Sequence, residues 1–206
     1  MKTLLNNNRE IRNECVPNFI AEVKTSHFGD IEKAKKLIDA IKKAGADCVK
    51  FQSWSTDSLY SDDFYKENPM AKRFVKKFSL DENEQEILAE YCKSVNIDFA
   101  STPYSIKEAN FLINKCKVPF IKVASMDINN YPYLRYLAKT ESAIIISSGM
   151  ANFDEITKAI KLLESEGAKN VILLHCISIY PAAPELINLN HIRFLKESFP
   201  NITIGY

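Results

Sequence analysis

Short, nearly continuous apolar runs alternate along the chain with longer stretches in which apolar residues recur every three to four positions. The short runs are Phe19–Val23, Cys48–Phe51, Ile97–Ala100, Phe120–Ala124, Ala143–Ile146, Val171–His175 and Ile202–Ile204. They are rich in β-branched residues, and unbroken apolar character marks strands buried on both faces of a parallel sheet. Helices are expected between them. Asp30 can cap a helix with Ala34, Leu37, Ile38 and Ile41 on one face and Gly45 as its stop. Asp81, Ser105 and either Asn152 or Asp154 can open three more, the last ending at Gly167. Asn188 or Asn190 can open a helix over NHIRFLKESF, and Tyr131–Lys139 is a weaker one started by Asn130 and Pro132. The first fourteen residues, with one short apolar patch, predict no element.

Repeated strand–helix alternation implies parallel strands joined by right-handed crossovers. A doubly wound nucleotide-binding sheet favours a glycine-rich first turn, and here that turn reads KTSHFGD. A (β/α)8 TIM barrel places its chemistry at the C-terminal ends of many strands. The distribution of polar residues fits the barrel, as one domain with about seven of its eight strands. Residues 53–80 break the spacing, with MAKRFVKKF as a short basic helix inside. Such a long insert reads as a lid or binding loop, with a solvated surface excursion as the alternative.

Composition narrows the function classes. Lys and Arg total 27 against 26 Asp and Glu, a net charge of +1, so no basic excess points to nucleic acid. Neither G-x-G-x-x-G nor G-x-x-x-x-G-K-[ST] occurs. The cysteines are Cys15, Cys48, Cys92, Cys116 and Cys176, with no C-x-x-C, which argues against a disulfide framework or a zinc site. A reducing compartment fits this usage. No run is long enough for a signal peptide or a membrane span, so a soluble cytoplasmic protein is expected.

The strand ends carry the candidate chemistry. The first strand holds Glu22 and leads to His27; the second holds Lys50 and Gln52; the third delivers Ser101 and Thr102. The fourth holds Lys122 and Ser125, the fifth delivers Ser147, Ser148 and Gly149, and the sixth delivers His175, Ser178 and Tyr180. In a barrel these groups converge on one mouth and suit a small, anion-bearing, hydroxyl-rich substrate. A lysine inside an apolar run needs an anionic partner. That partner is either a substrate anion or a protein carboxylate, such as Glu22 for Lys50. A Schiff-base lysine is the competing chemistry. His175 reads as a scaffold histidine or a ligand, and Ser147–Gly149 as a turn or a phosphate contact.

Seven segments in order, from FIAEV with SHFGD through AGADCVKFQ, IDFASTPYS, VPFIKVASMDINNYPYL, IIISSGMANFDEI and VILLHCISIYPAAPE to ITIGY, resemble the N-acetylneuraminate (sialic acid) synthase family, which includes legionaminic and pseudaminic acid synthases. The resemblance covers nearly everything from about Phe19 onward. It implies a barrel that condenses phosphoenolpyruvate with an N-acylated aminosugar to give a nine-carbon 2-keto acid and phosphate. By matching position, Lys50, Thr102, Lys122, Ser125, Ser147 and Ser178 would hold phosphoenolpyruvate. Glu22, as the catalytic group, with Gln52 and Tyr180 would face the sugar or the reacting centre, and His27 and His175 would line the mouth. The resemblance also implies a divalent metal, manganese or magnesium, and a homodimer at full length.

Two departures stand out. Lys24 and Ser26 occupy positions where the family pattern has Gly and Asn. The family pattern also continues past the Ile204-Gly205-Tyr206 segment with Ser-Asp-His-Thr, a second histidine motif, an eighth strand and an antifreeze-like domain. The expectation is therefore a truncated barrel that lacks the metal-binding histidines and has little or no activity alone. The alternatives are a related phosphoenolpyruvate-condensing barrel acting on a sugar phosphate, disfavoured by the scarcity of Arg at strand ends, and a non-catalytic sugar- or partner-binding barrel. Among sugars, the insert is the expected reader.

Overall fold

The computed structural model describes residues 2–13 and 16–206, so Cys15 lies outside the described residues. The chain forms two compact units, one made of Pro17–Pro119 and the other of Met1–Val16 with Phe120–Tyr206.

In the first unit, β3 (Ile20–Glu22), β4 (Cys48–Ser53) and β5 (Asp98–Pro103) form a parallel sheet in chain order. Their register sets Glu22 opposite Lys50 and Gln52 opposite Thr102. Helix α1 (Ile31–Lys43) starts where the Asp30 side chain accepts from the Glu32 and Lys33 amides, and Gly45 follows its end at φ +89°. The insert forms α2 (Asp62–Glu67), capped by Ser61, and the expected basic helix α3 (Pro69–Phe78). Helix α4 (Glu82–Ser94) opens with a capping box in which Asp81 and Glu84 satisfy each other's backbone amides. Helix α5 (Ile106–Phe111), capped by Ser105, widens into a π turn over Leu112–Cys116. Phe51 and Phe99 stack at 5.6 Å beneath these helices, with Ile38 and Leu88 fully buried.

The second unit begins with a hairpin that the sequence pattern does not announce, β1 (Lys2–Leu4) paired antiparallel with β2 (Glu10–Arg12). Its parallel sheet runs β6 (Ile121–Val123), β7 (Ile144–Ser147), β8 (Val171–Leu174) and β9 (Thr203–Gly205), again in chain order. The hairpin segment bonds to the starts of these strands. Asn6 Oδ1 accepts from the Ala143 amide at 2.8 Å, and Asn13 Oδ1 accepts from the Ile204 amide at 2.9 Å. The Leu4 amide donates to Asn170 Oδ1, and the Thr3 and Thr203 hydroxyls meet at 2.7 Å. Helices α6 (Tyr131–Ala138) and α7 (Phe153–Ser165) start at Asn130 and Asn152 as expected, α7 through a second capping box with Glu155.

One expectation fails at α9 (Asn190–Ser198). Neither candidate asparagine caps it; Asn188 instead adopts a left-handed conformation that closes an unexpected short helix, α8 (Pro184–Ile187). Within each sheet, strand order follows chain order without the reversal that defines a doubly wound sheet, which is the order of a barrel. No helix among the described residues is long and apolar enough to cross a membrane.

The turn before α1 depends on a close approach. Gly29 has φ +73°, and a Cβ there would strike the Lys77 carbonyl oxygen at the end of α3. Gly29→Ala is expected to cost about 2–4 kcal/mol, from left-handed strain plus a clash. Gly45, also at positive φ, has open space around it, and Gly45→Ala should cost only about 1–2 kcal/mol. Urea denaturation of the two variants checks the difference.

Candidate functional site

The Pro17–Pro119 unit places Glu22, Lys50 and Thr102 together. Lys50 lies in β4 with only 9% of its surface exposed. Its ammonium pairs with the Glu22 carboxylate and donates to Thr102 Oγ1 at 2.9 Å. The other Glu22 oxygen accepts from the Lys24 amide at 3.0 Å, which fixes the turn after β3. Lys24 sits at φ +50°, a conformation that favours glycine. Glu22 itself remains partly exposed, so its carboxylate can still meet a ligand. Gln52, half-buried, ends β4 opposite Thr102.

His27 belongs to the scaffold of this turn. Its Nδ1 accepts from the Gly29 amide at 3.0 Å and its ring lies 6.0 Å from Phe51. Burial holds its pKa below the ordinary histidine value, against an opposing contribution from the Lys24 backbone.

The second unit repeats the lysine–hydroxyl construction. Lys122, in β6 and 8% exposed, donates to the Val123 carbonyl at 2.8 Å and to Ser147 Oγ at the end of β7. Ser147 also accepts from the Cys176 thiol at 3.3 Å. Ser148 turns to the other side, donating to the Leu174 carbonyl at 2.9 Å, and serves the strand junction. The Gly149 amide donates to Ser125 Oγ at 3.2 Å. A Cβ on Gly149 would lie 2.6 Å from Ser178 Oγ and 3.1 Å from Ser125 Oγ. Ser125, Ser178 and Gly149 therefore crowd one small polar cradle in the same unit as the Lys122–Ser147 pair. An ammonium, three hydroxyls and a backbone amide are groups that suit a phosphate or carboxylate.

His175 and Tyr180 stand differently. His175 is buried and its Nε2 donates to the Ile187 carbonyl at 2.7 Å, which ties the end of β8 to α8. Its ring is 5.0 Å from His191, whose pKa burial and His175 both lower. Tyr180 is 87% exposed. Among the described residues, no cluster of three or more His, Cys, Asp or Glu side chains is able to hold a metal ion, so the residues present do not fit a divalent cation site.

Asp127 is a further candidate that the sequence reading did not name. It lies in the short 3-10 turn Ser125–Asp127 directly after β6. Burial pushes its carboxyl pKa upward, opposed by a bond from Asn130, and its Oδ2 is buried without a hydrogen-bond partner. A desolvated carboxyl two residues from Ser125 has the attributes of a proton-transfer group. Nothing in its sequence position marks it, because its significance rests on the unpartnered oxygen.

The NeuB family profile matches residues 37–206. The chain belongs to the NeuB family. It is 37% identical over 198 residues to the N,N'-diacetyllegionaminic acid synthase of Campylobacter jejuni, covering 91% of this chain and 59% of that one. It is 34% identical over 197 residues to the N-acetylneuraminate-9-phosphate synthase of Homo sapiens, covering 91% and 54%. The crystal structure of the N-acetylneuraminic acid (sialic acid) synthetase of Leptospira borgpetersenii, in complex with citrate, superposes with a TM-score of 0.90 at 31% identity, covering 100% of this chain and 69% of that one. The α/β fold is thus that of NeuB synthase structures, consistent with an incomplete TIM barrel. The chain spans about half the length of the curated NeuB relatives it matches.

Two outcomes follow for this NeuB chain. Asp127→Asn should raise the melting temperature at pH 7 by a few degrees. The sign follows from the raised pKa: the native state holds its proton to higher pH than the unfolded chain, so wild-type stability falls as pH rises from the ordinary aspartate pKa through the folded one. The variant should lose that slope, which thermal melts from pH 3.5 to 8 measure. Gly149→Ala should close the cradle and weaken binding of inorganic phosphate or phosphoenolpyruvate by about tenfold or more while the fold persists; calorimetric titration checks it.

Proposed function

We propose that the chain is the phosphoenolpyruvate-handling portion of a sialic-acid-type synthase. The reaction joins phosphoenolpyruvate to an N-acylated aminosugar in its open-chain aldehyde form. Carbon 3 of phosphoenolpyruvate attacks the aldehyde carbon, water adds at carbon 2, and phosphate leaves by C–O cleavage. The product is a nine-carbon 2-keto sugar acid. The observation that carries this reading is the cradle of Ser125, Gly149 and Ser178 with the buried Lys122–Ser147 pair in the same unit.

Lys50, Thr102, Lys122, Ser125, Ser147 and Ser178 are proposed as phosphoenolpyruvate ligands. Two buried ammonium groups and four hydroxyls offset and orient a trianionic substrate. Glu22 is proposed to move a proton at a sugar hydroxyl or at the attacking water, and Asp127 is a second group able to do so. Gln52, Tyr180 and the insert are proposed for the sugar side. His27 and His175 are proposed to support the mouth through the backbone bonds they make. The divalent ion that the family resemblance implies would supply Lewis-acid polarisation of the aldehyde. The described residues do not form such a site, and none of the roles above passes through one. We place the full protein in the cytoplasm as a homodimer.

The test is titration of the chain with phosphoenolpyruvate and, separately, with N-acetylmannosamine, alongside an assay for phosphate release. Lys122→Met should weaken phosphoenolpyruvate about 10–150-fold, the loss of a hydrogen bond to a charged group worth about 1.5–3 kcal/mol. Sugar binding should be nearly unchanged. Equal losses for both ligands, or no phosphoenolpyruvate binding by the wild-type chain, would refute the assignment.

A further inference from the structure

A buried relay of hydrogen bonds ties the insert to the strand ends. Ser101 Oγ and Ser53 Oγ lie 2.6 Å apart, Ser53 Oγ donates to Gln85 Oε1, and Gln85 Nε2 donates to the Leu80 carbonyl at 2.9 Å. Because Ser53 gives its proton to Gln85, Ser101 is the donor in the first pair. The Leu80 carbonyl only accepts, so it also fixes which way the carboxamide points. All four residues are buried.

The positions matter more than the count. Ser53 ends β4 where the insert begins, and Leu80 closes the insert, so one carboxamide from α4 joins both ends. Ser53 directly follows Gln52, and Ser101 directly precedes Thr102, the partner of Lys50. The insert body is held otherwise. Trp54, Tyr65 and Val75 form its core, with Leu59, Phe78 and Tyr104 packed against it. Two donors of that core, Trp54 Nε1 and Tyr65 Oη, are buried with no hydrogen-bond partner. The body is thus held mainly by apolar contact, with one part-buried bond from Ser58 Oγ to Glu108 of α5, while its base is held by a fully buried chain of directional polar bonds. Apolar contact permits sliding, whereas a saturated relay permits one arrangement.

We propose that Gln85 is a positioning residue: by joining Ser53 and Leu80 to the ends of β4 and β5, it sets where the insert stands and thereby the recognition of the sugar. The sugar half rests on the reading that the insert meets the N-acylated aminosugar. Gln85 acts on the ligand through the insert.

Trp54 is the chain's one tryptophan and adjoins the relay, so its emission reports the base of the insert. The experiment compares wild type, Gln85→Met, Gln85→Glu and Ser53→Ala, all in the full 206-residue chain. Amide exchange, Trp54 emission, and affinities for N-acetylmannosamine and phosphoenolpyruvate are measured. In Gln85→Met, amides of residues 54–79 should exchange about tenfold faster or more, while those of β4 and β5 stay within about twofold. Trp54 emission should move to longer wavelength. N-acetylmannosamine should bind about tenfold more weakly with phosphoenolpyruvate nearly unchanged. Gln85→Glu should behave like Gln85→Met at pH 8, where a carboxylate cannot donate to Leu80, and recover toward wild type at pH 5 as the acid form regains a donor. Simple loss of packing would not follow that pH course. Ser53→Ala cuts the relay without altering α4 and decides the matter should Gln85→Met fail to fold.

Unchanged exchange in the insert, or acceleration spread evenly over the whole chain, would overturn the clamp. Equal losses for sugar and phosphoenolpyruvate would overturn its link to the sugar. A wild-type chain that binds no sugar would defeat the functional reading and the sugar half together, and the exchange and emission results would still decide the clamp.

Discussion

Two ammonium groups buried within parallel strands set the terms for everything around them. A charge taken out of water must be met by fixed partners or the strand that carries it is lost. The chain uses one construction twice. Lys50 in β4 reaches Thr102 on β5, and Lys122 in β6 reaches Ser147 on β7. Each lysine therefore donates to a hydroxyl at the end of the next strand in sequence. The remaining donors are arranged differently, with the Glu22 carboxylate beside Lys50 and the Val123 carbonyl beside Lys122. The Glu22–Lys50 pair is the structural bridge that the sequence allows for this lysine. Such an ammonium is a fixed positive charge with directed donors, which suits electrostatic orientation of a substrate more than covalent attachment to it.

Much of this was legible in the residues because burial leaves a simple trace. The seven parallel strands stand out as unbroken β-branched runs, and Asp30, Asp81, Ser105 and Asn152 cap helices because their side chains reach free amides one turn on. What escaped is what carries no periodicity. Strands β1 and β2 have three residues each and are held by asparagine side chains, which no hydrophobic pattern records. Helices α2 and α8 are six and four residues long, too short to show a face. Asn188 reads as a cap by residue type, yet the same short polar side chain equally suits the left-handed turn it occupies.

The site divides along the same line. Residue type and strand position pick out Lys50, Lys122, Thr102 and Ser147, because each is a polar group where burial makes polarity costly, and Ser125 by its place just after a strand. Asp127 has no such mark, since its significance comes from an orphaned oxygen in a turn. The histidines show the reverse difficulty. His27 and His175 look like chemistry in sequence, but their nitrogens bond to the Gly29 amide and the Ile187 carbonyl. Lys24 makes a similar point for the backbone. Its departure from glycine reads as an added charge, and the structure adds that this residue must also tolerate φ +50°.

The hairpin at the start of the second unit also bears on how the chain is made. Residues 17–119 form a unit that is continuous in sequence, so its contacts become available as it leaves the ribosome. The Asn13 carboxamide has no such option, because the amide it serves belongs to Ile204. At about 5–20 residues per second, roughly 10–40 s separate their synthesis. During that interval Thr3 and Asn13 wait for Thr203 and Ile204, whereas the partner of Asn6, Ala143, is made earlier. Closing so long a loop is slow. The hairpin segment of this unit can therefore complete its bonds to Thr203 and Ile204 only after β9 has been made.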